Sequence, residues 1–118
     1  MIPVVPDGHI VGYEVVAKSF AKQGLTHVFG IVGVPVIELG SAFQAEDMNY
    51  FGVRHEQSAS YAASAVGYLT KRPGIVMAVS GPGMTNCISG MANALVNKWP
   101  MVCVGGACDS ILEGQGAF

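Results

Sequence analysis

Charged side chains make up only 12% of this 118-residue sequence, where an ordinary soluble domain carries about a quarter. The six Lys and Arg residues, Lys18, Lys22, Arg54, Lys71, Arg72 and Lys98, are scattered, and the net charge is −2. No basic stripe is available to follow a phosphate backbone, so nucleic acid is excluded as an expected partner. Long apolar runs are missing too. Ile75–Val79 and Met101–Val104 are broken by Ser, Gly or Pro, far short of the roughly 20 residues that cross a bilayer. Cysteine is sparse: Cys87, Cys103 and Cys108 form an odd set whose spacing matches no zinc pattern. The N-terminus lacks the basic start and apolar middle of a secretory leader. A reducing compartment with the cysteines as small core residues is the expectation. Gly30-Ile31-Val32-Gly33 is not G-x-G-x-x-G, and no G-x-x-x-x-G-K-[ST] occurs, which disfavours dinucleotide and P-loop chemistry.

What the sequence holds instead is 51% hydrophobic residues and 16 glycines. The length suits one hydrophobic core. Two accounts of the low charge stand side by side: a compact core rich in Ala, Val and Gly, or a surface covered by the rest of a larger protein or by another subunit. The scarcity of charge favours the second.

Residues 1–7, with Pro3 and Pro6, read as an irregular lead-in, and Asp7-Gly8 is expected to cap a helix over 9–23. There, Ile10, Tyr13, Val16 or Ala17, and Phe20 recur at helical spacing. A strand over 27–31, a turn over 32–35 and a helix over 36–45 make a first βα unit. A second strand covers 50–53, with a helix over 56–69. Arg72-Pro73-Gly74 turns into a third strand over 75–79, and Ser80-Gly81-Pro82-Gly83 leads to a helix over 84–97. Trp99-Pro100 breaks that helix before a fourth strand over 101–105. Strands apolar on both faces, alternating with helices, predict an α/β fold: a parallel sheet with helices on both faces, joined by right-handed crossovers. Residues 1–118 read as one domain, expected to be incomplete at the C-terminus, because Gly114–Phe118 is glycine-rich and closes no helix or strand.

In such a sheet the loops after the strands' carboxyl ends form the binding crevice. Those loops are 31–35, 53–56, 80–83 and 105–108, and one of them carries a carboxylate, Glu56, which opens a helix. Position alone leaves two readings of Glu56 open. It is a reactive carboxylate at the crevice mouth, or a helix-start Glu favoured by the helix dipole by about 0.3–1 kcal/mol. His55 reads as a surface or satisfied polar group, and His9 and His27 have less context still. The small residues of 56–69 and 84–97 fit either tight packing on the sheet or a helix held against a second subunit.

Taken together, Phe29-Gly-Ile-Val-Gly-Val-Pro35, Arg54-His-Glu-Gln-Ser-Ala-Ser-Tyr-Ala-Ala-Ser-Ala-Val-Gly67 and Ser80-Gly-Pro-Gly-Met-Thr-Asn86 carry a resemblance in order and spacing. They resemble the N-terminal, pyrimidine-binding domain of thiamine-diphosphate-dependent enzymes of the acetolactate synthase and oxalyl-CoA decarboxylase group. The phrases 67–74 and 90–94, with Trp99-Pro100, look most like the 2-hydroxyacyl-CoA lyases of peroxisomal fatty-acid α-oxidation. The resemblance runs from about His9 to Phe118. It implies that Glu56 bonds the ring nitrogen of the cofactor's aminopyrimidine and favours the imino tautomer that deprotonates the thiazolium carbon. It implies a lyase that cleaves 2-hydroxyacyl-CoA to formyl-CoA and an aldehyde. Val32, Gly33 and Pro35 would line the cofactor or substrate side, Pro82 and Asn86 the pyrimidine pocket, and Phe118 the substrate end.

Mg²⁺ would be held elsewhere. The family grips the diphosphate through a Gly-Asp-Gly motif followed by an Asn in a separate domain, and no such motif occurs in this sequence. No metal ligand is therefore expected here, and the chain alone is expected to be inactive. The resemblance further implies a homo-oligomer, formed through helices 56–69 and 84–97, and a peroxisomal location with the cytoplasm as the alternative. An oxalyl-CoA decarboxylase or acetolactate synthase relative is the competing enzyme. A non-catalytic interaction module of the same fold is the competing reading from another class.

Overall fold

A computed structural model describes residues 8–117; Asp7 and Phe118 lie outside the described residues. The elements, in order, are α1 (Gly12–Lys22), β1 (His27–Gly30), α2 (Ile37–Ala45), β2 (Asn49–Gly52), α3 (Glu56–Thr70), β3 (Gly74–Ala78), α4 (Pro82–Asn86), α5 (Ile88–Asn97) and β4 (Met101–Gly105). Single 3-10 turns cover Val34–Val36 and Ser110–Leu112. The four strands form one parallel sheet in the order β2-β1-β3-β4, as the alternation of apolar strands and helices predicts.

The strand β3 explains the layering. All five of its residues are buried, and because successive side chains point to opposite faces, each face receives its own apolar set. Ile75 and Met77 join Ala17 of α1, Ala42 and Phe43 of α2, and Val28 of β1 in one cluster. Val76 and Ala78 join Ala59 and Ala63 of α3 and Cys87 in the other. Burying each of the larger side chains is worth about 1.5–3 kcal/mol, so β3 anchors both layers.

The layer of α3 and α5 is held by small residues. Ser60, Ala63, Ser64 and Gly67 of α3 and Gly90 and Ala94 of α5 are buried. The buried Ser60 and Ser64 hydroxyls donate to the Gln57 and Tyr61 carbonyls, each at 2.8 Å, which leaves neither unsatisfied. These small residues are therefore used inside the chain. The outward sides of the same helices carry Tyr61, Tyr68 and Leu69, and Ile88, Leu95 and Val96.

Two helix boundaries differ from the sequence expectation. The helix expected from His9 begins at Gly12: Val11 is its N-cap, and its carbonyl accepts from Glu14 N and Val15 N at 3.1 and 3.2 Å. Gly8, at φ +87°, turns the chain away from helix geometry upstream. The single helix expected over 84–97 is two helices joined at Cys87. There the Cys87 amide bonds to the Met84 carbonyl three residues back, at 3.1 Å, and the bonding ladder is reset before α5.

Strand order places the crevice. From β1 the chain crosses to β2 on one side of the sheet, and from β3 to β4 on the other, while β1 and β3 are themselves paired. The loops leaving β1 and β3 therefore part at a switch point, the usual position for a ligand in an open parallel sheet.

Candidate functional site

Glu56 is the first residue of α3, and the N-cap His55 turns its ring inward to the helix: His55 Nδ1 accepts from Gln57 N at 3.1 Å. His55 is thus an exposed, satisfied polar group, with its capping nitrogen already in use. The cap fixes the direction in which α3 starts, and with it the position of the Glu56 carboxylate. The amino end of a helix favours an anion at this position.

The carboxylate meets the opposite wall of the crevice. Asn86 Nδ2, at the end of α4, donates to Glu56 Oε2 at 3.0 Å, across 30 residues of sequence. The other oxygen, Oε1, faces Gly83: a Cβ there would stand 3.4 Å from it and 2.5 Å from Val79 Cγ2. No donor contacts Oε1 among the described residues, and the one ion pair among them is Lys18–Glu14, at 3.7 Å, elsewhere on α1. Glu56 is half-buried and forms no ion pair among the described residues.

Val79 connects this pair to the loop after β1. Its Cγ2 abuts Gly83 and its Cγ1 abuts Gly33, so one branched side chain spaces the two glycine loops. The loop after β3 enters α4 through Gly81, whose φ of +61° and ψ of −126° suit a residue without Cβ. Pro82 then takes the first helical position, where its missing N–H leaves no bond unmade.

Behind Glu56 lies sulfur. Cys87 is fully buried, with Sγ 3.6 Å from the Gly83 carbonyl oxygen and 3.9 Å from that of Glu56. Burial first, then the neighbouring Cys103 thiol and the negative charge of Glu56, push the Cys87 thiol up to about 12. Burial likewise raises Cys103, against a lowering hydrogen bond with Cys87. Cys103 Sγ lies 3.6 Å from Met84 Sδ. Cys87 is thus a buried thiol under the site, with the partly buried Cys103 beside it.

Of the residues expected from the sequence, the structure brings Glu56 and Asn86 into direct contact, and Gly33 into the same wall through Val79. Pro82 lies exposed at the head of α4. Val32 lies against Gly40 of α2, and Pro35 against Gly106 after β4. Phe118 falls outside the described residues. Sequence reading missed Val79 and Gly83 as spacers and Cys87 as the floor. The signal for Cys87 was its place directly after Asn86. Two grooves, of about 670 Å³ beside α5 and β4 and about 540 Å³ between α1 and α2, include none of these expected site residues. Among the described residues, no three His, Cys, Asp or Glu side chains gather into a metal site, and no helix is long and apolar enough to cross a membrane.

Residues 10–118 match the family described as thiamine pyrophosphate enzyme, N-terminal TPP binding domain. The chain is 48% identical over 107 residues to 2-hydroxyacyl-CoA lyase 1 of Homo sapiens, covering 91% of this chain and 18% of the relative. With 2-hydroxyacyl-CoA lyase of Arabidopsis thaliana it is 50% identical over 107 residues, 91% of this chain and 19% of the relative. Oxalyl-CoA decarboxylase of Escherichia coli (strain K12) is 42% identical over 98 residues, 83% of this chain and 17% of that protein. The chain thus spans less than a fifth of the length of these relatives. Matched along nearly its whole length, it belongs to the thiamine pyrophosphate enzyme family as an N-terminal TPP binding domain.

Proposed function

We propose that this chain is the pyrimidine-side half-site of a thiamine-diphosphate-dependent carbon–carbon lyase acting on 2-hydroxyacyl-CoA, with formyl-CoA and an aldehyde as products. The observation that supports it most is the Glu56 carboxylate at the switch point, with one oxygen bonded to Asn86 and the other without a donor or cation among the described residues. Such a group suits an aminopyrimidine. A carboxyl shares a proton with a weakly basic ring nitrogen, and no ion pair among the described residues competes for it. Gly83 sets bare backbone beside Oε1, packed against Val79, whose side chain offers an apolar wall to a ring face. Gly33, Pro82, Val32 and Pro35 would enclose the cofactor. Thiamine diphosphate, when bound, supplies the carbon nucleophile; this chain's residues orient the pyrimidine and hold the proton at Glu56. Mg²⁺ would be held by residues outside this chain.

The substrate assignment leans on the two lyase relatives, at 48% and 50% identity, against 42% for the decarboxylase. Oxalyl-CoA decarboxylation is the alternative. The exposed Tyr61, Tyr68 and Leu69 of α3 and Ile88, Leu95 and Val96 of α5 are the surface through which copies would associate. The test is calorimetric titration with thiamine diphosphate and Mg²⁺ of this chain alone and of the chain grafted in place of the matched segment of the Arabidopsis enzyme. Binding by the graft, with lyase turnover, and none by the isolated chain is expected. Turnover without binding to either, or a folded graft that binds nothing, rejects the reading.

A further inference from the structure

Asn86 was expected to line the pyrimidine pocket, and its geometry points to a specific task there. Its amide nitrogen is 3.0 Å from Glu56 Oε2, and this is the only side-chain hydrogen bond the Glu56 carboxylate makes among the described residues. A glutamate has three rotatable bonds and two equivalent oxygens, so an unrestrained carboxylate would present either oxygen over a range of directions. Here one oxygen is tied to the far wall of the crevice, while the other lies beside the bare backbone of Gly83 and has no donor among the described residues.

We propose that Asn86 is a positioning residue that holds Oε2 of Glu56 and thereby selects Oε1 as the oxygen offered to the ligand. The choice of an amide fits this task. Asn donates one directed bond without bringing a charge, whereas Lys or Arg would pair with the carboxylate and hold it as an anion. Beneath it the fully buried Cys87 has its thiol against the backbone carbonyls of Gly83 and Glu56. The Asn86 backbone is in turn set by its place at the end of α4, just before the joint at Cys87. The break between α4 and α5 thus determines where the donor stands.

The role of Oε1 rests on the cofactor reading, but the positioning itself is read without ligand. In the ¹³C,¹⁵N-labelled chain, one Asn86 Nδ2 proton is expected to exchange with water about tenfold more slowly than in the Glu56→Ala chain. The Glu56 side-chain scalar couplings are expected to report one fixed rotamer in the native chain and averaged rotamers in Asn86→Leu, with the rest of the spectrum retained. Should Asn86→Leu fail to fold, Asn86→Ala removes the donor without apolar bulk and gives the same readout. Unchanged Glu56 couplings in a folded Asn86 variant overturn the proposal, as does an Asn86 amide that does not sense the loss of Glu56. A failed thiamine diphosphate titration of the graft would count against the cofactor reading and leave these couplings as measured.

Discussion

Gly90 of α5 faces Ser60 of α3 with no room for a methyl group between them: a Cβ at position 90 would stand 2.6 Å from Ser60 Cβ and 2.7 Å from the Ser60 backbone carbon. Because part of that wall is backbone, rotation of the serine side chain does not relieve the clash. Gly90→Ala is expected to destabilise the chain by about 1–3 kcal/mol, as overpacking of a filled interior does, read from chemical denaturation. Leu95→Ala on the exposed side of the same helix is expected to stay within about 0.5 kcal/mol in the monomeric chain.

The turn into α4 depends on backbone that an L-residue adopts only under strain. Gly81 has φ +61° and ψ −126°, so Gly81→Ala is expected to cost about 1–3 kcal/mol. Its effect should reach Asn86, five residues on. Chemical-shift changes confined to the loop, with α4 untouched, would show that the turn does not set the position of that helix.

Cys87 makes a prediction in alkali. Its thiol is raised in the folded chain from 9.0 to about 12, with burial as the leading cause. A group whose folded value lies above its unfolded value binds its proton more tightly when folded, so its contribution is complete below about pH 9 and is lost as pH rises towards 12. Unfolding free energy should fall across that window, and Cys87→Ala should show a shallower fall from a lower starting stability. Tyr50, also raised by burial, keeps part of the slope in the variant. Equal slopes in the two chains would contradict the assignment. At neutral pH, Cys87 should resist alkylation in the folded chain.

Much of the fold was legible because it rests on local pattern. The run Ile75–Val79, apolar at every position, announced a strand covered on both sides, and the structure makes β3 the central, wholly buried strand. Helix joints were less legible. Nothing in the composition of 84–97 distinguishes the Cys87 amide that bonds three residues back from one that bonds four back. At the site, Glu56 and Asn86 each stood out in their own motif, but their bond depends on how α3 and α4 converge across 30 residues, which no local period encodes. Val79 was read as the end of a strand. Its work of spacing Gly33 from Gly83 follows from the strand order, where the loops after β1 and β3 become neighbours.

The most direct test of the central claim is turnover of 2-hydroxyacyl-CoA by the graft with and without Glu56→Gln. Gln keeps the size and polarity of the side chain but does not share a proton with a ring nitrogen as a carboxyl does. The account predicts a loss of at least about 100-fold, the low end of what a positioned acid–base group contributes, with thermal unfolding essentially unchanged. Turnover within a few-fold of the unsubstituted graft, in a protein equally well folded, would contradict it.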